Sequence, residues 1–188
     1  MVAGLGLPPG SHVLDLAAGT AQIGRLLAEE GHRVVSADIS HDMIAAGHPP
    51  GPAVVAPAER LPFRDGVFDG VTFGYLLRYV DDVLGCLIEI ARVTRPGGRV
   101  GMVEFGRPTG LVGPLWVAYT RFGLPALGLV AGPGWVEVGR FLGPSIGDFA
   151  RRLPPEALAQ AWRDAGLADV EVRRLSLGGG LVMWGRRR

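Results

Sequence analysis

The sequence predicts an α/β protein built on a Rossmann-like, doubly wound sheet of seven strands, mostly parallel, with an antiparallel C-terminal hairpin. Three observations predict it. Short apolar runs alternate with amphipathic stretches from residue 12 to about residue 105. The connections between them are short. The chain closes on two strand-like runs around the glycine triplet at residues 178–180. Such alternation reads as a parallel sheet with helices on both faces.

"HVLDL" (12–16) is a buried strand, and "TAQIGRLLAEEG" (20–31) is a helix with apolar Ile23, Leu26 and Leu27 and a closing Gly31. "RVVSAD" (33–38) is the second strand; "SHDMIAAG" (40–47) is a short helix with Ser40 as N-cap. "AVVAP" (53–57) is the third strand, and "DGVTFGY" (69–75), after a loop, is the fourth. "DDVLGCLIEIARVT" (81–94) is a helix with Asp81 and Asp82 at its positive end. "RPGG" (95–98) turns the chain into the fifth strand, "RVGMVEF" (99–105). Residues 108–146 have no clean period. A helix, "PPEALAQAWRDAGL" (154–167), then precedes the hairpin strands "DVEVRRLSL" (169–177) and "GLVMWGRR" (180–187).

Composition narrows the function. The 188 residues fit one domain, with a substrate-cap insertion at about 108–150. A net charge of +1 gives no argument for nucleic acid. A lone cysteine, Cys86, excludes an internal disulfide and suits a reducing, cytoplasmic setting. The N-terminus lacks the charged and apolar regions of a signal peptide. The apolar run 111–130 approaches a membrane span in length. Arg121 interrupts it, and Pro114 and Pro125 are expected to break a helix there. Helices covering a pocket are the favoured reading, with transient membrane-surface contact as the lesser one. The four histidines and one cysteine form no spaced ligand set, so no metal site is expected.

Ligands of an open α/β sheet bind beyond the carboxyl ends of its strands, so "VLDLAAGTAQIG" (13–24) is the first place to look. A dinucleotide needs G-x-G-x-x-G for close approach to a pyrophosphate, and this turn reads Ala17, Ala18, Gly19, Thr20, Ala21, Gln22. S-adenosylmethionine carries an ammonium, a carboxylate and a sulfonium but no phosphate. Asp15 can face its positive end, and Gly19 permits close backbone approach. The helix starting near Thr20 offers N–H groups to its carboxylate. Asp38, at the end of strand two, suits the ribose hydroxyls.

The chain resembles class I S-adenosylmethionine-dependent methyltransferases, and among them the ubiquinone/menaquinone biosynthesis C-methyltransferases. The resemblance rests on "VLDLAAGTAQIG", "AERLPFRDGVFDGVTFGYLLRYVDD", "EIARVTRPGGRVGMVEFGRP", "GRFLGPSI" and "LSLGGGLVMWGRR". It implies further cofactor contacts at Ala17, Ile39, Met43, Ala58, Glu59 and Gly74. It also implies a small aromatic or quinol acceptor, an isoprenoid quinol among them. The chain departs from the family at several places, with Gly139 and Phe141 standing for family tyrosines among them. Ala21 replaces the last glycine of the turn, which is tolerable if that residue has negative φ. Pro57 stands where the family has an aspartate for the adenine amino group, and Tyr79 follows Arg78 in place of an asparagine. The family also carries a longer segment before strand one, which is expected to leave this pocket more open.

Methyl transfer from a sulfonium is an in-line displacement whose leaving group needs no proton, so no triad is expected. Quinol carbon methylation gains from loss of a phenolic proton. Tyr75 and Arg78 follow strand four and Glu104 ends strand five. Arg78 is read either as a phenolate stabiliser or as an ion-pair partner of Asp81 or Asp82; Tyr75 shapes the donor pocket or packs in the core. Asp148, beside the cap, is an outside candidate for a base. Trp116, Tyr119, Phe122, Trp135, Phe141 and Phe149 give the cap an aromatic surface. Three readings compete with C-methylation: O- or N-methylation of a specialised metabolite, cofactor binding without turnover, and a dehydrogenase.

Overall fold

A computed structural model describes residues 1–123, 126, 128 and 133–188. Pro125 and the side chain of Trp135, both singled out in the sequence, lie outside the described residues. The seven strands are β1 (His12–Leu16), β2 (Arg33–Asp38), β3 (Ala53–Val55), β4 (Phe68–Gly74), β5 (Thr94–Phe105), β6 (Leu167–Leu175) and β7 (Gly180–Arg187). They form one sheet in the order β3-β2-β1-β4-β5-β7-β6. Strands β1 to β5 pair in parallel, and the C-terminal strands run antiparallel. The strand order reverses between β1 and β4, which puts the switch point at the carboxyl end of β1.

The helices are α1 (Gln22–Glu29), α2 (His41–Gly47), α3 (Val83–Val93), α4 (Val112–Ala118), α5 (Pro133–Arg152) and α6 (Pro155–Asp164). The described residues divide into two compact units. The first comprises Met1–Glu104, Ala159–Arg173 and Val182–Arg188; the second comprises Phe105–Leu158 and Arg174–Leu181. The segment expected to be a cap falls within the second.

In the first unit, strand alternation sorts the core. Val13, Val34 and Leu27 pack with Leu5, and Ile23, Leu7 and Trp184 close around them. Glycines on this face let the flanking segments come close. A Cβ on Gly70 would lie 2.7 Å from Leu7, and one on Gly101 would lie 2.8 Å from Leu5. Phe73 meets the fully buried Trp162 of α6, with ring centroids 6.1 Å apart. Ser40 caps α2 by accepting from Met43 N at 3.2 Å, as its position in the sequence implied. Asp82 does the same for α3 through Gly85 N at 2.9 Å.

Four local expectations are corrected. Leu26 is exposed; the buried stripe of α1 is narrower than its apolar pattern and runs through Gly24 and Leu27. The RPGG segment does not precede β5 but forms an irregularity within it. Phe68 pairs with Thr94, Gly70 already pairs with Arg99, and the extra residues bulge out with Gly97 at φ +76°. Pro114 does not break α4, because it sits in the first turn, where the N–H has no intrahelical partner to lose. Finally, the stretch without a clean period contains the 20-residue α5, which continues through Pro144. Its buried Ile146 and Phe149 supply the packing that outweighs local propensity. No helix of the described residues is long and apolar enough to cross a membrane.

Trp162 is the largest fully buried side chain, and truncating it leaves a void that the sheet cannot close. Trp162→Ala is expected to cost about 3–5 kcal/mol in urea unfolding.

Candidate active site

Between β1 and α1 the backbone enters the left-handed region three times: Ala17 at φ +52°, Gly19 at +52° and Ala21 at +58°. Glycine adopts that region freely, whereas an alanine there costs roughly 1–2 kcal/mol. The condition under which Ala21 would replace glycine without strain is therefore not met. Three groups hold the turn against that cost. Asp15 Oδ2 accepts from Gly24 N at 2.8 Å. Asp38 Oδ2 accepts from Gly19 N at 2.7 Å, while its Oδ1 accepts from Ser40 N at 2.8 Å. Arg25 Nη1 donates to Thr20 O at 2.9 Å and to Gly47 O at 2.7 Å, clamping the turn to the end of α2. Gly47 is indispensable to that clamp, since a Cβ there would lie 2.5 Å from Thr20 Cα.

Asp15 is fully buried in the middle of the sheet, with Ser36 and Thr72 as its register neighbours on β2 and β4. Burial pushes its carboxyl up to about 7, and the Gly24 N–H pulls it only partly back. Its Oδ1 has no hydrogen-bond partner among the described residues. Thr72, its register neighbour on β4, also favours the charged carboxylate.

A cavity of about 100 Å³ opens at the carboxyl ends of these strands. Ala17, Asp38, Ile39, Ala58 and Glu59 line it, all named from the sequence. Leu16, Ala56, Leu76, Tyr79 and Val80 complete it. Its chemistry is small and apolar with two carboxylates. That set fits an adenosine, whose base needs flat apolar contact and whose ribose needs hydroxyl acceptors. The volume lies below the ~300–1,000 Å³ of a pocket enclosing a whole ligand of this size, so it accounts for the nucleoside end alone. The two other sequence-named residues stand beside the turn. Met43 on α2 reaches over Gly19, where a Cβ would lie 3.3 Å from its Cε. Gly74 ends β4 in a packed position, 3.1 Å from Val103 and 3.2 Å from Ile23 by the same measure.

The catalytic candidates come together. Arg78 Nε donates to Glu104 Oε1 at 2.9 Å, and the two side chains are 3% and 0% exposed. The ion pair that the sequence allowed with Asp81 or Asp82 is thus made with Glu104 instead. Arg78 also lies 4.8 Å from the Tyr79 ring centroid and 6.0 Å from that of Tyr75. Tyr75, at φ +58° and 41% exposed, is the accessible one of the three catalytic candidates, and Tyr79 is 63% exposed. Asp148, on α5 in the second unit, is ion-paired with Arg151 on the same helix.

Sequence reasoning missed the residues that brace the site. Gly24 ends the motif quoted above, nine residues after Asp15. A Cβ there would lie 2.9 Å from Asp15 Oδ2, so the glycine makes room for the carboxylate that its own N–H binds. Arg92 and Glu89 of α3 pin the loop after Glu59. Glu89 Oε1 accepts from Leu61 N at 2.6 Å, and Arg92 donates to Phe63 O at 2.9 Å and Leu61 O at 3.2 Å. The Arg92 hydrogen bonds hold the Glu89 carboxyl below its usual range. The signal was the i, i+3 acid–base pair within "EIAR".

The switch-point cavity, the acidic strand ends and the phosphate-free turn define the fold of S-adenosylmethionine-dependent methyltransferases. Solved structures of this class superimpose on the chain. A methyltransferase from Mesorhizobium loti gives a TM-score of 0.68 at 20% identity, covering 99% of this chain and 95% of that one. Phosphoethanolamine N-methyltransferase 2 from Haemonchus contortus, bound to S-adenosyl-L-methionine, gives 0.71 at 14% identity, with 99% and 51% covered. Within that class the chain belongs to the ubiE/COQ5 methyltransferase family, whose model matches residues 4–186. A demethylmenaquinone methyltransferase from Mycolicibacterium gilvum is 44% identical over 181 residues, 95% of this chain and 76% of that protein. A ubiquinone/menaquinone biosynthesis C-methyltransferase from Desulfotalea psychrophila is 36% identical over 193 residues, 98% and 77% of the two chains.

Two outcomes follow from this geometry. Ala21→Gly relieves the left-handed strain and is expected to raise stability by on the order of 1 kcal/mol, read as a higher urea midpoint. The second concerns pH. The Asp15 carboxyl titrates at about 7 when folded against 3.8 as a free group, so between those values the native state holds a proton that the unfolded chain has lost. Its contribution to stability is whole below 3.8 and is lost as pH rises through about 7. Urea midpoints of wild type and Asp15→Asn measured across that window should therefore separate as pH rises, with the wild type falling relative to the variant. Parallel curves would contradict the shift.

Proposed function

We propose that this chain transfers a methyl group from S-adenosylmethionine to a ring carbon of a demethylmenaquinone-like quinol. The observation that carries the reading is the small cavity lined by Asp38 and Glu59 at the switch point of a ubiE/COQ5 family chain. The names of its relatives, demethylmenaquinone methyltransferase among them, support the acceptor class.

Asp38 receives the ribose hydroxyls, because each of its oxygens has a lone pair beyond the one given to Gly19 or Ser40. Asp15, fully buried, serves the cofactor through the turn that it braces at Gly24 N. Ala17, Gly19 and Thr20 offer backbone groups to the amino-acid end, and Gly74 keeps β4 close beneath it. Ile39, Met43 and the Ala58–Glu59 backbone hold the base, with Pro57 adding no hydrogen bond. When bound, S-adenosylmethionine supplies an electrophilic methyl group on a sulfonium. The protein's own work is to align the acceptor in line with that group and to keep water out. Of the three catalytic candidates, Tyr75 has the exposure to touch the acceptor. Arg78 and Glu104 neutralise each other in a buried pair, so we assign them to positioning the Tyr75–Tyr79 segment. Breaking such a pair on one side leaves an uncompensated buried charge, at a cost of about 3–5 kcal/mol. A cytoplasmic setting suits the buried Cys86 thiol, which burial pushes up to about 12 and so leaves unreactive.

The test uses the purified chain with isotopically labelled donor and a short-tailed demethylmenaquinol, read by mass spectrometry of the product. A labelled methyl on the ring carbon is expected. A label on oxygen, or none with any quinol although S-adenosylhomocysteine binds by calorimetry, overturns the reading. Asp38→Ala should weaken S-adenosylhomocysteine by about 1–3 kcal/mol through loss of the ribose acceptor, and unchanged affinity would remove Asp38 from the site.

A further inference from the structure

The second unit contains a cavity of about 380 Å³ formed by α4, the π-helical turn Tyr119–Gly123 and α5, within the ~300–1,000 Å³ typical of small-molecule sites. Its wall carries four arginines, Arg107, Arg121, Arg140 and Arg151, and one acid, Asp148. Asp148 is paired with Arg151. Among the described residues no carboxylate pairs with Arg107, Arg121 or Arg140. These arginines are exposed, and their shared positive sign around one concavity favours an anion there, with Arg121 also 5.8 Å from the Phe122 ring centroid. The rest of the wall is apolar or small and includes Trp116, Val117, Pro144 and Ile146. Gly143 makes the hollow possible: α5 approaches the π-helical turn so closely that a Cβ there would lie 3.0 Å from Thr120 O. On the same elements Leu111, Leu115 and Phe122 are 95%, 72% and 67% exposed.

We infer that this cavity binds the phosphate group of an amphiphile, a phosphate ester carrying an apolar chain. An uncharged quinol leaves three guanidiniums uncompensated, whereas a phosphate oxygen fork meets planar guanidiniums in paired, charge-assisted hydrogen bonds. The Trp116 and Ile146 wall and the exposed Leu115 and Phe122 receive the first carbons of the chain. Arg140, Gly143, Gly147 and Arg151 recur at helical spacing along α5, so one face of that helix carries both the cationic heads and the gap between them. The ligand comes either from an anionic phospholipid headgroup or from a free phosphorylated isoprenoid, and the two differ only in what the chain is embedded in. This inference is independent of the methyl-transfer reading.

The full chain is tested by flotation with phosphatidylglycerol vesicles and with phosphatidylcholine vesicles, and by calorimetry with farnesyl monophosphate. Wild type is expected to bind at least one phosphate-ester probe and to prefer phosphatidylglycerol over phosphatidylcholine if the source is a bilayer. The double variant Arg121→Gln/Arg140→Gln should lose roughly tenfold or more in that affinity while binding S-adenosylhomocysteine as wild type does. Binding to vesicles alone assigns a lipid headgroup; binding to farnesyl monophosphate alone assigns a free ester. The inference is overturned if wild type binds neither probe, if it binds both vesicle types equally and no farnesyl monophosphate, or if the variant binds as tightly as wild type. The wild-type comparisons decide the matter even where the variant fails to fold.

Discussion

The structure depends on two carboxylates at the carboxyl edge of the sheet. Asp15 and Asp38 end adjacent parallel strands, and each captures a backbone N–H from the turn or helix that follows β1. Without them the turn has no reason to hold three consecutive odd-numbered residues in the left-handed region, two of them alanines. Both shape the backbone, and Asp38 also lines the cavity at the strand ends. The motif tolerates Ala21 because hydrogen bonds made elsewhere in the turn offset the strain of its methyl group.

The same economy governs the other side of the site. Arg78 and Glu104 sit on neighbouring segments after β4 and at the end of β5, and their mutual neutralisation lets both be buried. A buried pair of this kind adds little net stability. The aromatic rings of Tyr75 and Tyr79 gather around the guanidinium.

Most of the fold was legible in the sequence because its signals are local and repeated. Strand alternation, the Ser40 cap and the turn glycines act over a few residues, and β1, β2 and β7 fall where their apolar runs place them. Of the five cavity residues named from the sequence, Asp38 was legible because ligands of an open α/β sheet bind at strand ends, and the family resemblance named Ala17, Ile39, Ala58 and Glu59. What escaped was decided at a distance. The partner of Arg78 lies 26 residues away on another strand, while the sequence offered acids three and four residues away. The left-handed φ of Ala21 depends on hydrogen bonds from elsewhere in the turn. Helix α5 is held by Ile146 and Phe149 in spite of a proline and glycines that argue locally against it.

The Arg92–Glu89 pair on α3 has a consequence for motion. By gripping the carbonyls of Leu61 and Phe63 and the amide of Leu61, it fuses the loop after Glu59 to a helix whose inner face is fully buried. Loop and helix then share one opening event, and the loop is no more prone to breathe than the core beneath it. The cavity wall that it continues therefore behaves as a rigid shelf, whereas Ile39 and Met43 are exposed.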